Sequence, residues 1–109
     1  MVAHLRACAD VWMFSIYAML AEDEPALPDL DERKWAKVTA YTELEFYDLL
    51  QVYALQRAEL INVLRDLPTE SWARSATIAG RKHTVFSQVR RMALHEVEHC
   101  EQIEQSLTC

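Results

Sequence analysis

The sequence predicts an all-α fold, an up-and-down helical bundle, on three observations. Three long segments place apolar residues at steps of three and four, the repeat of one helix face. The chain is 51% hydrophobic yet holds a single Gly and three Pro, too few turn residues for a β protein. The stretch after Pro68, the place left for strands, alternates too little to predict a sheet. The 109 residues make one domain, 1–109, long enough for one core to which every helix must contribute.

Residues 2–21 predict a first long helix. Leu5, Ala9, Trp12, Ile16 and Met19 form its core stripe. A flanking stripe of His4, Cys8, Val11, Ser15 and Ala18 is smaller and more polar, as expected of a pocket wall. Arg6 and Asp10 sit on another face, spaced to pair. Residues 22–41 form a long connection in which Pro25 and Pro28 forbid a continuous helix. A short helix starts inside it, with Asp29 and Glu32 at the spacing of a capping box and Trp35 pinning the turn to the bundle. The second long helix runs from Thr42 to Leu67. Thr42 and Glu45 form its capping box, Phe46, Leu49, Tyr53, Leu60, Val63 and Leu67 its apolar stripe, and Pro68 its stop. Residues 68–83 predict an extended or looping crossover that turns at Gly80. Thr84 caps the third long helix, which extends to about Leu107.

The formal charge of −6 argues against a nucleic-acid partner, since such proteins cluster Lys and Arg to displace phosphate counterions. No stretch reaches the roughly 20 apolar residues of a membrane span. The apolar run 11–21 superficially resembles a signal peptide, but Asp10 at its border, polar Ser15 within it and a lone Arg6 ahead of it favour a core helix. Cys8, Cys100 and Cys109 cannot all pair within the chain, so a reduced, cytoplasmic setting is expected.

Chemistry concentrates in Met92–Ile103. His95 and His99, four apart, lie one above the other on a helix and continue the apolar line of Val85, Met92 and Ile103. Two ionisable rings aimed at a core need a partner: a shared metal, or each other in a satisfied pair. His4, on the pocket-facing stripe of the first helix, is the third ligand that an open metal site needs. Cys8, one turn on, is either a fourth, soft ligand or a small core residue. Gln102 is either within reach of a metal-bound water or a polar edge residue. His83 reads as a loop residue, roughly 18 Å from His95 along a helix at 1.5 Å per residue. Residues 95–99 also spell His-Glu-x-x-His, in which Glu96 would activate water as in zinc peptidases. Only ten residues follow His99 and no strand is expected beside it, so a peptidase is the less favoured reading. Arg74, Arg81, Lys82, Arg90 and Arg91 gather five of the eleven basic residues. They either steer an anionic substrate or cofactor or form a solvated face.

Taken in order, His4-Leu5-Arg6, Trp72 with Arg74, Gly80-x-x-x-Thr84 and His95-Glu96-x-x-His99-x-x-Gln102-Ile103 make the chain resemble the DinB superfamily of metal-binding four-helix bundles over nearly its whole length. The resemblance implies a divalent metal, zinc or nickel foremost and iron or manganese next, at His4, His95 and His99. It also implies a metal-dependent transferase that activates a low-molecular-weight thiol (glutathione, mycothiol or bacillithiol) or water against a small electrophilic substrate. The alternative within the family is a non-catalytic metal-binding, stress-associated module. Family members usually carry a whole helix ahead of the one bearing the first histidine, whereas this sequence starts three residues before His4. Either the start is trimmed or misassigned, or the domain is a three-helix remnant. A remnant would leave an apolar groove for a second copy, so a homodimer is expected.

Overall fold

The computed structural model describes residues 2–108, with side chains through 105. Cys109 lies outside the described residues. Three long helices and a short one make the bundle. α1 spans Val2–Ala21, α2 Glu32–Thr39, α3 Phe46–Arg65 and α4 Val85–Thr108. α1 is the central element and packs against all three others, which is why it carries no charge between Val11 and Ala21. Leu5, Ala9, Ile16 and Met19 of the expected stripe are buried, and so are Ala7, Cys8, Met13 and Ser15 on other faces.

α2 sits in the connection as expected, but its cap is Asp31, whose carboxylate accepts from the Arg33 amide at 2.9 Å. The Asp29–Glu32 spacing misled because Glu32 is the first helical residue, not the third. Trp35 does pin α2 to the bundle: its Nε1 donates to Asp10 Oδ2 at 3.0 Å. Asp10 also accepts from Tyr41 Oη and, at 2.7 Å, from Gln56 Nε2. The expected Arg6–Asp10 pair does not form, because those three donors occupy the carboxylate while Arg6 stacks over the Tyr41 ring at 4.3 Å. A 3-10 turn at Tyr41–Glu43 precedes α3, and extended Leu44 separates the two. The cap of α3 is therefore Glu45, accepting from the Asp48 amide, and not Thr42. Of the predicted α3 stripe only Leu49 and Leu60 are buried; Phe46 and Val63 are exposed.

The expected crossover contains a sheet, and here the sequence reading is corrected. After a 3-10 turn at Thr69–Ala73 come β2 (Ser75–Ile78) and β3 (Arg81–Thr84), an antiparallel hairpin with Ser75 opposite Thr84. β1 (Ala26–Leu27), from the connection after α1, pairs parallel with β2. Four-residue strands give too few alternations to register, and Ser75 and Ala76 are both buried, which breaks the period of two. The hairpin turns through Ala79 and Gly80, both at positive φ (52° and 78°), the conformation of tight two-residue turns. Arg74 fastens this unit to the end of α1, donating from Nε to the Met19 carbonyl and from Nη2 to the Glu22 carbonyl and to Asp23. Thr84 and Ser87 then cap α4 reciprocally, each side-chain oxygen accepting from the other's amide at 2.9–3.0 Å.

The main core joins Met13, Ile16 and Met19 of α1 to Leu60, Ala76, Val85 and Met92. A smaller cluster of Val2, Ala7, Tyr41 and Leu49, with Trp35 and Ile103 packed against it, closes the end where α1 begins. Outside these, Leu50, Leu55 and Ile61 of α3 and Phe86, Leu94 and Val97 of α4 leave large apolar surface uncovered. Among the described residues no helix is long and apolar enough to cross a membrane.

Candidate metal centre

The first turn of α1 meets the middle of α4 at three imidazoles. His95 and His99 share a face of α4 by their four-residue spacing, and the packing of α1 on that face delivers His4. Ring centroids are 4.9 Å apart for His4 and His99, 5.7 Å for His4 and His95, and 4.2 Å for His95 and His99. One nitrogen from each ring falls within 4.8 Å of the others, and this is the one such cluster of potential ligands among the described residues. His95 Nε2 and His99 Nε2 stand 2.9 Å apart. That separation suits either a hydrogen bond or two nitrogens on one ion at about 2.0–2.1 Å each.

Burial holds the pKa of both His4 and His95 below the ordinary histidine value, with the neighbouring rings pushing the same way. Both rings therefore favour the neutral form that can donate a lone pair. Gln102, which the sequence suggested might reach toward the ion, instead stands behind His99, its Oε1 3.1 Å from Nδ1. An acceptor there keeps the proton on Nδ1 and leaves Nε2 bare. His95 Nδ1 is buried without a hydrogen-bond partner.

Two other candidates are placed away from the cluster. Glu96 turns to α3, where its carboxylate pairs with the Arg57 guanidinium through both oxygens. A carboxylate held there is not poised to activate water beside the histidines, which removes the geometry the peptidase spelling requires. Cys8 Sγ lies 3.5 Å from His4 Nε2 but outside the three-nitrogen cluster. Burial pushes its thiol pKa up to about 12, with Glu32 and Glu96 adding to the rise, so with no ion beside it the thiol stays un-ionised.

A cavity of about 450 Å³ opens beside the histidines, and Cys8 and Trp12 belong to both. The Trp12 ring lies 4.9 Å from the His95 ring, tilted by 58°, and Trp12 also lines the cavity. Cys8, Val11 and Ser15 of the flanking α1 stripe form one wall, as expected of a pocket face. The opposite wall is the unpredicted sheet, with Ile78, Ala79, Arg81 and His83. His83 is thus a strand residue facing a cavity, not a loop residue. α4 contributes Gln88 and Arg91. Gln88 was missed by the sequence reading although it lies seven residues, two helical turns, before His95 and so on the same face. The basic group divides: Arg74 anchors the sheet, Arg81 and Arg91 line the cavity, and Lys82 and Arg90 are exposed.

The family profile of the DinB superfamily matches residues 1–103. No curated protein and no solved structure matches the chain.

Proposed function

The chain belongs to the DinB superfamily, and from that membership we propose that it holds a divalent metal at His4, His95 and His99 and activates a thiol or water against a small electrophile. The observation that carries the reading is the convergence of three ring nitrogens within 4.8 Å, with no carboxylate among them. An all-imidazole set suits zinc, nickel or iron better than magnesium or calcium, and manganese remains within its range. Such an ion would supply Lewis acidity, bringing the pKa of water or of a low-molecular-weight thiol toward neutrality. The chain's own contributions are separate. Gln102 orients His99, Trp12 packs against His95, and Cys8 and Trp12 line the cavity next to the cluster. The cavity beside the triad supports a small-molecule substrate.

A non-catalytic metal-binding module with the same ligands is the second reading, and turnover separates the two. Protein purified without chelator should carry about one divalent ion per chain, and the His4→Ala/His95→Ala/His99→Ala variant should carry none. Retention of metal by that variant would sink the site. With an electrophile and glutathione, mycothiol or bacillithiol supplied in turn, thiol consumption should depend on metal in the enzyme reading and be absent in the module reading. Glu96→Gln should leave turnover in place.

We also propose that the free thiols Cys8 and Cys100 belong to a reducing cytoplasm. The uncovered apolar side chains of α3 and α4 support pairing of two copies, and a stable monomer in light scattering at high concentration would refute it.

A further inference from the structure

The cavity holds more unused polar chemistry than a core void or a passage to the histidines requires. Gln88 is only 4% exposed, yet its amide makes no hydrogen bond among the described residues and faces the cavity. Arg81 and Arg91 line the same space and take part in no ion pair or hydrogen bond among the described residues. They enter from different elements, β3 and α4. The residue is enclosed while its amide opens on the cavity, free to pair with what enters, and the two guanidiniums lining the same space are donors awaiting an acceptor.

His83 lines the same cavity and feels both arginines. Burial lowers its pKa most, Arg91 and Arg81 lower it further, and Asp29 opposes them more weakly. At this ring the two arginines outweigh Asp29, while Asp29 and Glu32 line the same cavity. Two guanidiniums against two carboxylates favour a single negative charge over a dianion such as phosphate, which the carboxylates would repel more strongly. The apolar portion, Trp12, Phe14 and Ile78, continues from that end toward His95.

We infer that the cavity binds a small molecule bearing one carboxylate, which Arg81 and Arg91 grip and Gln88 orients, with an apolar body lying along Trp12. A planar carboxylate matches the guanidinium fork, and charge-assisted bonds of this kind are about twice as strong as neutral ones. This names a substrate class for the metal centre proposed above and rests on that reading only in placing the far end of the molecule at the histidines.

The test uses metal-free protein, so that a carboxylate has no ion to bind. 4-(Trifluoromethyl)benzoate and its neutral counterpart 4-(trifluoromethyl)benzamide are titrated and followed by fluorine NMR. The acid should saturate at a dissociation constant on the order of 1 mM, as expected for a ligand of this size, and the amide should bind at least tenfold more weakly. Arg81→Met and Arg91→Met should each weaken the acid about tenfold and leave the amide unchanged. Both side chains are exposed, so circular dichroism should report an intact fold. Arg90→Met, a neighbouring arginine outside the cavity, should change nothing. Equal affinity for acid and amide, no saturable binding of the acid, or an Arg90→Met effect as large as that of Arg91→Met would each overturn the inference. Failure of the metal site would appear separately, as protein without metal that still prefers the acid.

Discussion

Removing the Asp10 carboxylate should loosen the beginning of α1 and, with it, the hold on His4. Asp10 accepts from Trp35, Tyr41 and Gln56, which belong to α2, the following 3-10 turn and α3. One carboxylate thus ties α1 to three later segments. Burial raises the Tyr41 pKa, and its bond to Asp10 raises it further, so the phenol remains a donor across the physiological range. Hydrogen bonds to a charged acceptor contribute about 1.5–3 kcal/mol each. These are half-buried, and water can replace part of each, so about 1 kcal/mol apiece and about 3 kcal/mol in total is the working figure for Asp10→Ala. At roughly 4–8 °C per kcal/mol for a domain near this size, Tm should fall by roughly 12–24 °C. Asp10→Asn keeps one acceptor oxygen and should lose about half as much. Differential scanning calorimetry of metal-free protein measures the first effect, and competition with a chromophoric chelator measures the second, a weaker hold on metal through a frayed first turn. A Tm within about 4 °C of wild type for Asp10→Ala would refute the reasoning, since that is the effect of losing only about one net bond.

Other expectations follow from single residues. Gln102→Leu removes the acceptor behind His99 Nδ1 and should lower metal affinity about tenfold, the smaller end of such effects because Gln102 is exposed; an unchanged chelator competition would contradict it. Ala79 sits at φ 52°, a conformation costing a residue with a Cβ about 1–2 kcal/mol. Ala79→Gly should therefore stabilise the hairpin by up to about 1 kcal/mol in urea unfolding, with Ala79→Asn close behind. Gly80→Ala should destabilise by a similar amount although nothing crowds the position, because strain and not space is the cost. The pH dependence has a definite sign. His4, His83 and His95 are all held below the ordinary histidine value of 6.5 by burial, so between their folded values and 6.5 the unfolded chain binds more protons. Their contribution is fully present above pH 6.5 and is lost as pH falls through the folded values. Metal-free protein should melt progressively lower from about pH 7 down to about pH 5.5, by at most about 1.4 kcal/mol per pH unit for each histidine; a flat profile would contradict it.

The long helices were legible because their signals are local and repeated. Pro68 stopped a helix for want of an amide, and Thr84 opened one with a side chain that reaches its own third residue. The four-residue spacing of His95 and His99 put two rings on one face without any knowledge of what lies opposite. The meeting with His4 depended on the way α1 packs, which the apolar stripe of Leu5, Ile16 and Met19 suggested but could not orient. Signals that depended on distant partners were lost. Glu96, which the His-Glu-x-x-His spelling offers as a catalytic acid, pairs instead with Arg57, thirty-nine residues earlier. The sheet was hidden because its strands are short, its parallel partner Ala26–Leu27 lies about fifty residues upstream, and its turn carries Ala-Gly instead of a stronger hairpin pair. With the sheet went the far wall of the cavity, and so the meaning of Arg81, His83 and Gln88. The exposure of Phe46 and Val63 shows the same limit from the other side: a stripe records which residues want cover, not whether anything covers them.

The central position of α1 also sets an order of assembly during synthesis. α1 is apolar on most of its circumference, and the helix that completes its surroundings and supplies two of the three rings starts at Val85, sixty-four residues after α1 ends at Ala21. At translation rates of about 5–20 residues per second, roughly 3–13 s separate the two. During that interval Ile16 and Met19 have only part of their final cover, so the nascent chain presents its stickiest segment throughout synthesis. A ribosome-associated holdase would therefore meet α1 during that interval, and the histidine cluster would close only once α4 has emerged.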